Sequence, residues 1–441
     1  MPRFSGSAPA QAPPALAPTP RRRLDECVER LHRAARSFAT LPLGDRIQLL
    51  RAMRAGYARA VPRSVESSCL AKRIVPGTVL EAEEWSLGPW PVLRQLRLLI
   101  ETLSALRRRR APPLGELGRT IDGRLSAEIF PGSVLDSLLM AGTRAEVHIR
   151  AGIGERELLA SQARFYKQSA ARGRVVLVLG AGTSAGVPVQ DVLTRMFNEG
   201  KVCLLKLHPL NNYLAPLLSE AFAAAIDRDF LHIVTGDADE GAYLVRHAGI
   251  DEIHLSGCPE THEKILWGSA DAGAAERKRQ HHPLHMKPVT SELGGVSPVL
   301  IVPGPYLDRQ LAFQAEALAG AMVHNAAMNC HTPRLLVTPR GWPQRDAFLR
   351  HLEHALAAAP LRLAYYPGTA ERWERITAGR PGLRQIGAAV AGCCPGRWYP
   401  GSTHPTAGSR SSLPSHSVPP WDRWRSGVPT PSSSCSKPWG S

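Results

Sequence analysis

Residues 174–186 read RVVLVLGAGTSAG, five consecutive aliphatic residues followed by a loop of glycine and other small residues. An uninterrupted aliphatic run of this length, closed by glycine, is typical of a strand that is buried on both faces. A helical pattern then covers residues 189–198, and a second strand of mainly apolar residues is predicted over 202–207. The pattern therefore predicts a strand–helix–strand unit around the glycine loop.

The same alternation continues toward the C-terminus. Further strands are predicted over 231–234 and 252–255, and further helices over 213–226 and 240–247. Strands and helices that alternate at this spacing indicate βαβ units and a parallel sheet. A second series follows, with strands at 299–302 and 334–338 and helices at 310–323 and 345–358. The predicted fold class is α/β, a Rossmann-like parallel-sheet domain followed by a second α/β domain.

Shifts in composition suggest six segments along the chain. Residues 391–441 contain 12 Ser and 9 Pro but no Glu, Ile, Phe or Met, so no regular apolar pattern is possible there. We expect an aberrant or truncated C-terminus. The predicted segments are a disordered tail (1–22), a helical region that belongs to the cofactor domain (23–110), a hairpin or oligomerisation-like segment (111–165), a Rossmann-like domain (166–288), a truncated catalytic domain (289–390) and a disordered Ser/Pro/Trp-rich tail (391–441).

Charge and composition argue against several classes of function. The net charge is +16, but the arginine clusters at 21–23 and 107–110 are not interleaved with aromatic residues, so a nucleic-acid partner is not favoured. No apolar run approaches the roughly 20 residues that span a bilayer. The eight cysteines are scattered without paired C-x-x-C motifs, so no metal site is predicted. The N-terminus lacks a secretory apolar region, and we expect a cytoplasmic protein.

The glycine loop itself allows two interpretations. Gly180-x-Gly182-x-x-Ala185 matches a relaxed dinucleotide fingerprint, in which a helix N-terminus receives a pyrophosphate. That fingerprint usually has an acidic residue at the end of the second strand, where this chain has Lys206. Either the nucleotide binds differently or carries an extra phosphate, or the loop is a tight turn that requires small residues.

Four short motifs follow one another between residues 190 and 340: Glu199–Lys206, Thr235–Cys258, Ser291–Pro298 and Asn325–Cys330. Their order and spacing resemble the aldehyde dehydrogenase superfamily. The first is similar to that family's Gly-Asn turn before a strand that ends in Lys. The second closes on Ser-Gly-Cys, where the family has Phe-Thr-Gly-Ser. The third, SELGGVSP, resembles Glu-Leu-Gly-Gly-Lys-Ser-Pro, and the fourth, NAAMNC, resembles Asn-x-Gly-Gln-x-Cys.

The resemblance implies a specific chemistry. Cys330 is the predicted nucleophile, whose thiolate adds to the carbonyl of a small-molecule aldehyde. Hydride transfer to the nicotinamide of NAD or NADP then leaves a thioester on the sulfur. Glu292, 38 residues upstream of Cys330, is the predicted base that activates water for hydrolysis. The implied reaction converts an aldehyde to a carboxylate.

The resemblance also implies a cofactor site. Lys206 is expected to bond the adenosine ribose, and the backbone at Gly257 and Cys258 is expected to face the pyrophosphate. Gly236 and Leu293 complete the predicted site. Where the family often carries a Glu that selects the non-phosphorylated cofactor, this chain has Pro209, so the choice between NAD and NADP stays open.

Three departures from the family pattern leave alternatives open. The oxyanion Asn of the Pro-Trp-Asn turn is missing, and Thr183 or Ser184 occupies that loop. No Glu-x-Phe-Gly-Pro box is found. The final subunit-contact strand is missing too, so a homo-oligomer stays possible but without that contact. The alternatives to aldehyde oxidation are an acylating, coenzyme A-dependent relative, a catalytically impaired binding protein and, outside the family, a nucleic-acid-binding protein.

Overall fold

The computed structural model describes residues 16–168, 172–269, 271–379, 384–386 and 396–398. Most of the two predicted tails, residues 1–15 and most of 391–441, lies outside these described residues. Within the first predicted tail, residues 16–20 lead directly into a helix that begins at Arg21. Within the second, Gly396–Trp398 pairs with Arg384–Ile386.

The N-terminal region is helical. Its amphipathic pattern buries residues such as Ile47, Leu50 and Met53 at three-residue spacing, which directs one face of the longest helix toward the core. Phe38 lies with its ring centroid 4.8 Å from that of Phe230, and this contact joins the first helix to the sheet described below. The helices are α1 (Arg21–Ala39), α2 (Leu43–Ala71), α3 (Glu81–Leu87) and α4 (Pro89–Arg107).

A small antiparallel sheet lies within residues 111–165. Its strands are β1 (Leu117–Arg119), β2 (Leu125–Phe130) and β3 (Ala145–His148), in the order β1-β2-β3. The helix α5 (Val134–Leu139) lies between the last two strands, and α6 (Glu155–Ser161) follows β3. A register shift between Glu128 and Phe130 interrupts the β2–β3 pairing.

The central sheet has five parallel strands in the order β6-β5-β4-β7-β8. The strands are β4 (Val175–Leu179), β5 (Val202–Lys206), β6 (Leu231–Val234), β7 (Glu252–Gly257) and β8 (Val289–Leu293). Every residue of β4 and β5 is buried, as their aliphatic runs predict. The predicted α/β class is therefore confirmed.

Helices connect these strands. They are α7 (Val187–Leu193), continued by a π-helical turn (Thr194–Asn198), α8 (Ala215–Ala221), α9 (Ala223–Ile226), α10 (Ala238–Arg246), α11 (Pro259–Trp267) and α12 (Ala272–Arg279). The chain leaves β4 in one direction toward β5 and β6, and returns to its other side with β7 and β8. Such a reversal of strand order opens a crevice at the carboxyl ends of the strands.

A second, smaller core forms in the C-terminal part of the described chain. It contains β9 (Pro298–Leu300) paired in parallel with β10 (Leu335–Val337), with α13 (Asp308–Val323) and α14 (Arg345–Ala358) packed beside them. Trp342 and Phe348 are buried there among leucines and alanines. The remaining elements are α15 (Thr369–Thr377), β11 (Arg384–Ile386) and β12 (Gly396–Trp398).

The edge strand β8 links the two parts. It hydrogen-bonds to β7 with Ser256 opposite Glu292 and Gly257 opposite Leu293. The first residues of the segment predicted as the catalytic domain therefore belong to the first sheet. Among the helices of the described ranges, none has both the length and the apolarity to cross a bilayer.

Candidate active site

The carboxyl edge of the five-stranded sheet gathers the residues predicted to hold a cofactor. Lys206 is the last residue of β5, Gly257 the last of β7 and Leu293 the last of β8. Gly236 lies two residues beyond β6, and Cys258 directly follows β7. Because all five strands are parallel, these positions lie along one edge of the sheet.

Lys206 is buried at this edge, with only 6% of its surface exposed. Burial lowers the pKa of its ammonium group to about 8, while the nearby carboxylates of Asp237 and Glu240 raise it. Desolvation disfavours the charged form of a lysine, and an anionic neighbour opposes that effect. The Lys206 side chain is thus a cation that is largely shielded from solvent beside the crevice.

The turns after β6 and β7 bring the backbone close to the crevice. Gly236 has φ +146°, and a Cβ at this position would lie 2.6 Å from the side chain of Glu240. Glu240 in turn accepts the backbone N–H of Asp237 at 2.9 Å, which caps α10. Cys258 is exposed and precedes α11, which begins with Pro259. The positive end of the α11 dipole therefore faces the sheet edge.

Other segments of the protein pack closely against the glycine loop after β4. A Cβ on Gly182 would lie 2.5 Å from Nδ1 of His208, and one on Gly186 would lie 2.4 Å from the carbonyl oxygen of Leu87. Of the two interpretations of this loop, the close packing supports the tight turn that requires small residues. Burial, together with the positive charge of Lys206, lowers the pKa of His208 to about 4.

The loop that carries Cys330 has an unusual backbone. Asn325, Ala326 and Ala327 have φ values of 55°, 52° and 61°, all in the left-handed region. This conformation costs roughly 1–2 kcal/mol for an ordinary L-residue and less for asparagine. Ala327 stands where the Asn-x-Gly-Gln-x-Cys pattern has glycine. Strain of this kind persists only where surrounding contacts hold the backbone in place.

Those contacts form a buried polar network. Lys72, at the end of α2, donates from Nζ to Glu84 Oε1 (2.8 Å), Asn325 Oδ1 (3.1 Å) and the Thr183 carbonyl (3.2 Å). Asn325 Nδ2 donates to the same Thr183 carbonyl (2.9 Å), and the Tyr365 hydroxyl donates to Asn325 Oδ1 (3.0 Å). The side chains of Lys72 and Glu84 are 3% and 1% exposed. Burial lowers the pKa of Lys72, and the attraction of Glu84 opposes this shift.

The network continues into the nucleophile loop. Asn325 Nδ2 also donates to Asn329 Oδ1 at 3.0 Å, and Asn329 Nδ2 lies 2.7 Å from His324 Nδ1. Arg334 Nη2 donates to the carbonyl of Ala327 at 3.1 Å. Asn329 directly precedes Cys330, so the hydrogen-bonded side-chain amides of Asn325 and Asn329 extend to the residue next to the thiol.

Cys330 and the Glu292 motif meet through their backbones. The N–H of Gly295 donates to the Cys330 carbonyl at 3.2 Å, and the N–H of Arg334 donates to the Val296 carbonyl at 3.0 Å. The Cys330 thiol is exposed, with Sγ 3.8 Å from Nδ1 of His331. Glu292 is exposed on β8. Both predicted catalytic residues are therefore accessible and lie on adjoining segments, and their roles stay predictions.

Ser184 is one of the two residues that occupy the loop where the family has its oxyanion-binding Asn. Its hydroxyl is already hydrogen-bonded within the protein. Ser184 Oγ donates to the Leu87 carbonyl (2.9 Å) and accepts the N–H of Gly186 (3.2 Å). Thr183 takes part in the network through its carbonyl, which is an acceptor. Among the described residues, no group of three or more His, Cys, Asp or Glu side chains is arranged to hold a metal ion.

Three residues of the buried network escape the sequence analysis. Lys72, Glu84 and Tyr365 belong to no motif, and Lys72 lies 253 residues from Asn325 in the chain. A lysine and a glutamate on amphipathic helices ordinarily predict an exposed face. Asn325 and Asn329 carry a signal in the sequence, because both lie in the motif that ends at Cys330.

Comparisons with known proteins agree with this geometry. Residues 191–362 match the aldehyde dehydrogenase family. Betaine aldehyde dehydrogenase from Vibrio vulnificus is 29% identical over 177 residues, which cover 39% of this chain and 31% of that protein. Aldehyde dehydrogenase family 3 member A2 from Mus musculus is 26% identical over 249 residues, which cover 54% of this chain and 47% of that protein. The chain thus spans about half or less of the length of these curated relatives.

Solved structures share the fold. An aldehyde dehydrogenase from Mycobacterium tuberculosis, complexed with NAD+, superimposes with a TM-score of 0.52 at 16% identity, over 79% of this chain and 60% of that one. A proline utilization A variant from Bradyrhizobium japonicum gives 0.54 at 15% identity, over 86% of this chain and 34% of that one. Together with the family match over residues 191–362, which contain the Glu292 and Cys330 motifs, these likenesses show that the chain has the aldehyde dehydrogenase fold and is similar to the aldehyde dehydrogenase superfamily.

Proposed function

We propose that this chain oxidises a small aldehyde to a carboxylate with NAD+ or NADP+, through a thioester on Cys330. The observation that carries the proposal is the hydrogen bond between Gly295 and Cys330, which joins the thiol loop to the Glu292 segment. Both segments adjoin the sheet edge where Lys206 and Gly257 end their strands. The match of residues 191–362 to the aldehyde dehydrogenase family supports an oxidoreductase of this type.

The residues at the sheet edge fit a dinucleotide. Gly236 lets the backbone approach the crevice, the α11 N-terminus after Cys258 favours a phosphate group, and Lys206 supplies a cation for the ribose. The bound cofactor would supply the hydride acceptor. The side chains at this edge do not decide between NAD+ and NADP+, since Pro209 supplies no carboxylate to repel a ribose phosphate.

Cys330 and Glu292 would divide the remaining chemistry. The Cys330 thiolate forms a bond to the aldehyde carbon and gives a tetrahedral thiohemiacetal. After oxidation, the carbonyl carbon remains bonded to sulfur as a thioester. Glu292 takes a proton from water, the water oxygen bonds to the carbonyl carbon, and the thiolate leaves as the carboxylate forms. The backbone N–H of Cys330 is the donor available to the oxyanion in this proposal.

One observation favours a second candidate function, cofactor binding with impaired turnover. The Ser184 hydroxyl is engaged with Leu87, and Thr183 presents a carbonyl, so the loop supplies no evident equivalent of a fixed amide donor. Loss of one such donor can cost roughly 3 kcal/mol of transition-state stabilisation. A slow enzyme or a nucleotide-binding protein would then result.

A spectrophotometric assay with a panel of aldehydes and both cofactors tests the proposal. We expect NAD(P)H formation by the wild type, its loss in Cys330→Ala, and its retention in Cys27→Ala, which removes a buried thiol on α1. Turnover that survives Cys330→Ala would remove the mechanism. Calorimetric binding of NAD(P)+ without turnover would instead support the second candidate. Formation of an acyl-coenzyme A when coenzyme A is added would point to the acylating alternative.

A further inference from the structure

The most strongly buried charged pair beside the nucleophile loop lies on the N-terminal helices. Lys72 ends α2 and Glu84 lies in α3, and each side chain is almost fully buried. We propose that Lys72 is a positioning residue, which orients the Asn325 amide and thereby fixes the loop that presents Cys330. The inference rests on the function proposed above for Cys330.

The hydrogen bonds leave the Asn325 amide only one orientation. An ammonium group has donors and no acceptor, so the amide atom that faces Lys72 must be the oxygen. That oxygen also accepts from Tyr365, and the amide nitrogen donates to Thr183 and Asn329. All four hydrogen-bonding positions of the amide are thus used, and its orientation is transmitted to the residue next to Cys330.

The backbone of the loop shows why such an anchor is needed. Three consecutive non-glycine residues, Asn325–Ala327, are held in the left-handed region. Lys72 and Asn325 both donate to the Thr183 carbonyl, and the Tyr365 hydroxyl, whose single hydrogen is shared with Asn325 Oδ1, lies 3.3 Å from the same oxygen. Because these groups come from four separate segments, α2, the loop after β4, the Cys330 loop and the segment after α14, the network fixes the loop relative to the sheet.

Replacing Lys72 alone leaves Glu84 as a buried carboxylate without its cation, which would destabilise the protein generally. The informative variant is therefore the double substitution Lys72→Met with Glu84→Gln, which removes both charges and keeps the side-chain lengths. The matched control is Arg63→Met with Glu220→Gln. This exposed pair joins the same helix, α2, to α8 with an Nη2–Oε1 distance of 2.7 Å.

Hydrogen–deuterium exchange and steady-state kinetics on the full chain test the proposal together. In the Lys72/Glu84 double variant, we expect amide exchange in residues 324–330 to accelerate about tenfold, with β4 unchanged. We also expect kcat to fall about tenfold with the cofactor KM within about twofold of wild type. The control pair should change neither quantity.

Unchanged exchange in residues 324–330 would overturn the proposal, because the loop would then be held without Lys72. Faster exchange with wild-type kcat would overturn it as well, since the anchor would then be irrelevant to the reaction. The exchange measurement requires no substrate. If the wild type oxidises no aldehyde, the proposed function fails, yet exchange still decides whether Lys72 fixes the Cys330 loop.

Discussion

The hydroxyl of Tyr366 lies 3.3 Å from Nε2 of His208, and the two rings are tilted with their centroids 5.7 Å apart. Tyr366 belongs to the segment after α14, whereas His208 follows β5 and fills the space above Gly182. The contact therefore joins the smaller C-terminal core to the glycine loop at the sheet edge. His208 Nδ1 accepts the N–H of Leu210 at 3.2 Å, so both ring nitrogens of His208 have a hydrogen-bond partner.

This arrangement predicts acid sensitivity. Burial and the nearby charge of Lys206 lower the pKa of His208 from 6.5 to about 4, so between these values the unfolded chain binds more protons than the folded one. The contribution of His208 to stability is therefore present above pH 6.5 and is lost as the pH falls toward about 4. We expect the free energy of unfolding of His208→Gln to depend less steeply on pH in this window than that of wild type, as measured by urea denaturation. A wild-type slope in the variant, matching the exposed control His281→Gln, would contradict the prediction.

Ala327→Gly should stabilise the protein. Ala327 has φ 61°, a conformation that glycine adopts without steric cost, so we expect a gain of about 1 kcal/mol in the free energy of unfolding. Ala315→Gly, in the interior of α13, provides a control of opposite sign. There we expect a loss of about 1 kcal/mol or more, because glycine is a poor helix former. Thermal and urea denaturation measure both changes, and a destabilised Ala327→Gly would count against the left-handed loop.

Glu292→Gln should separate the two halves of the proposed reaction. With no base to activate water, the thioester on Cys330 accumulates, so rapid mixing should show a burst of about one NAD(P)H per chain. Steady-state turnover should fall about 100-fold or more. Mass spectrometry of the quenched protein should find the acyl group on Cys330. Glu316→Gln, on the exposed face of α13, is the control; a Glu292→Gln enzyme with normal turnover and no burst would assign the base to another group.

Lys206→Met should weaken cofactor binding while stabilising the protein without cofactor. The pKa of Lys206 is lowered from 10.5 to about 8, so the buried charge disfavours folding below about pH 8, and this cost disappears as the pH rises toward 10.5. We expect the variant to be more stable than wild type near pH 7, with the difference shrinking at higher pH. The Kd for NAD(P)+ should rise about tenfold, measured by calorimetry. The control Lys264→Met, at the far end of α11, should change neither the stability nor the Kd for NAD(P)+. An unchanged Kd in Lys206→Met would show that Lys206 is not part of the cofactor site.

The sheet could be predicted because buried parallel strands consist of aliphatic runs. The run 175–179 is continuously aliphatic and the run 202–205 is continuously apolar, and both become fully buried strands. The helix between β5 and β6 was harder to predict: the predicted helix 213–226 forms as a short turn followed by two separate helices, α8 and α9, that break at Phe222. Both helices pack against α2, a contact on which local periodicity carries no information.

The candidate site also combines residues that the sequence indicates with residues that it does not indicate. Cys330, Glu292 and the residues at the strand ends lie within short motifs, so a single sequence can indicate them. The anchor of the Cys330 loop is assembled from Lys72, Thr183 and Tyr365, which the chain separates by more than a hundred residues in each case. No motif spans such distances, and the composition of an amphipathic helix predicts the opposite environment for Lys72.

The position of β8 has a mechanical consequence. Because the strand with Glu292 is hydrogen-bonded into the same sheet as Gly257, the general base and the phosphate-binding turn would travel as one body during any opening motion. A hinge in this protein would have to lie after Leu293. The Cys330 loop is held to this body by the backbone hydrogen bonds of Gly295 and Val296 and by the Lys72 network, so the thiol could move relative to the base only if these contacts opened.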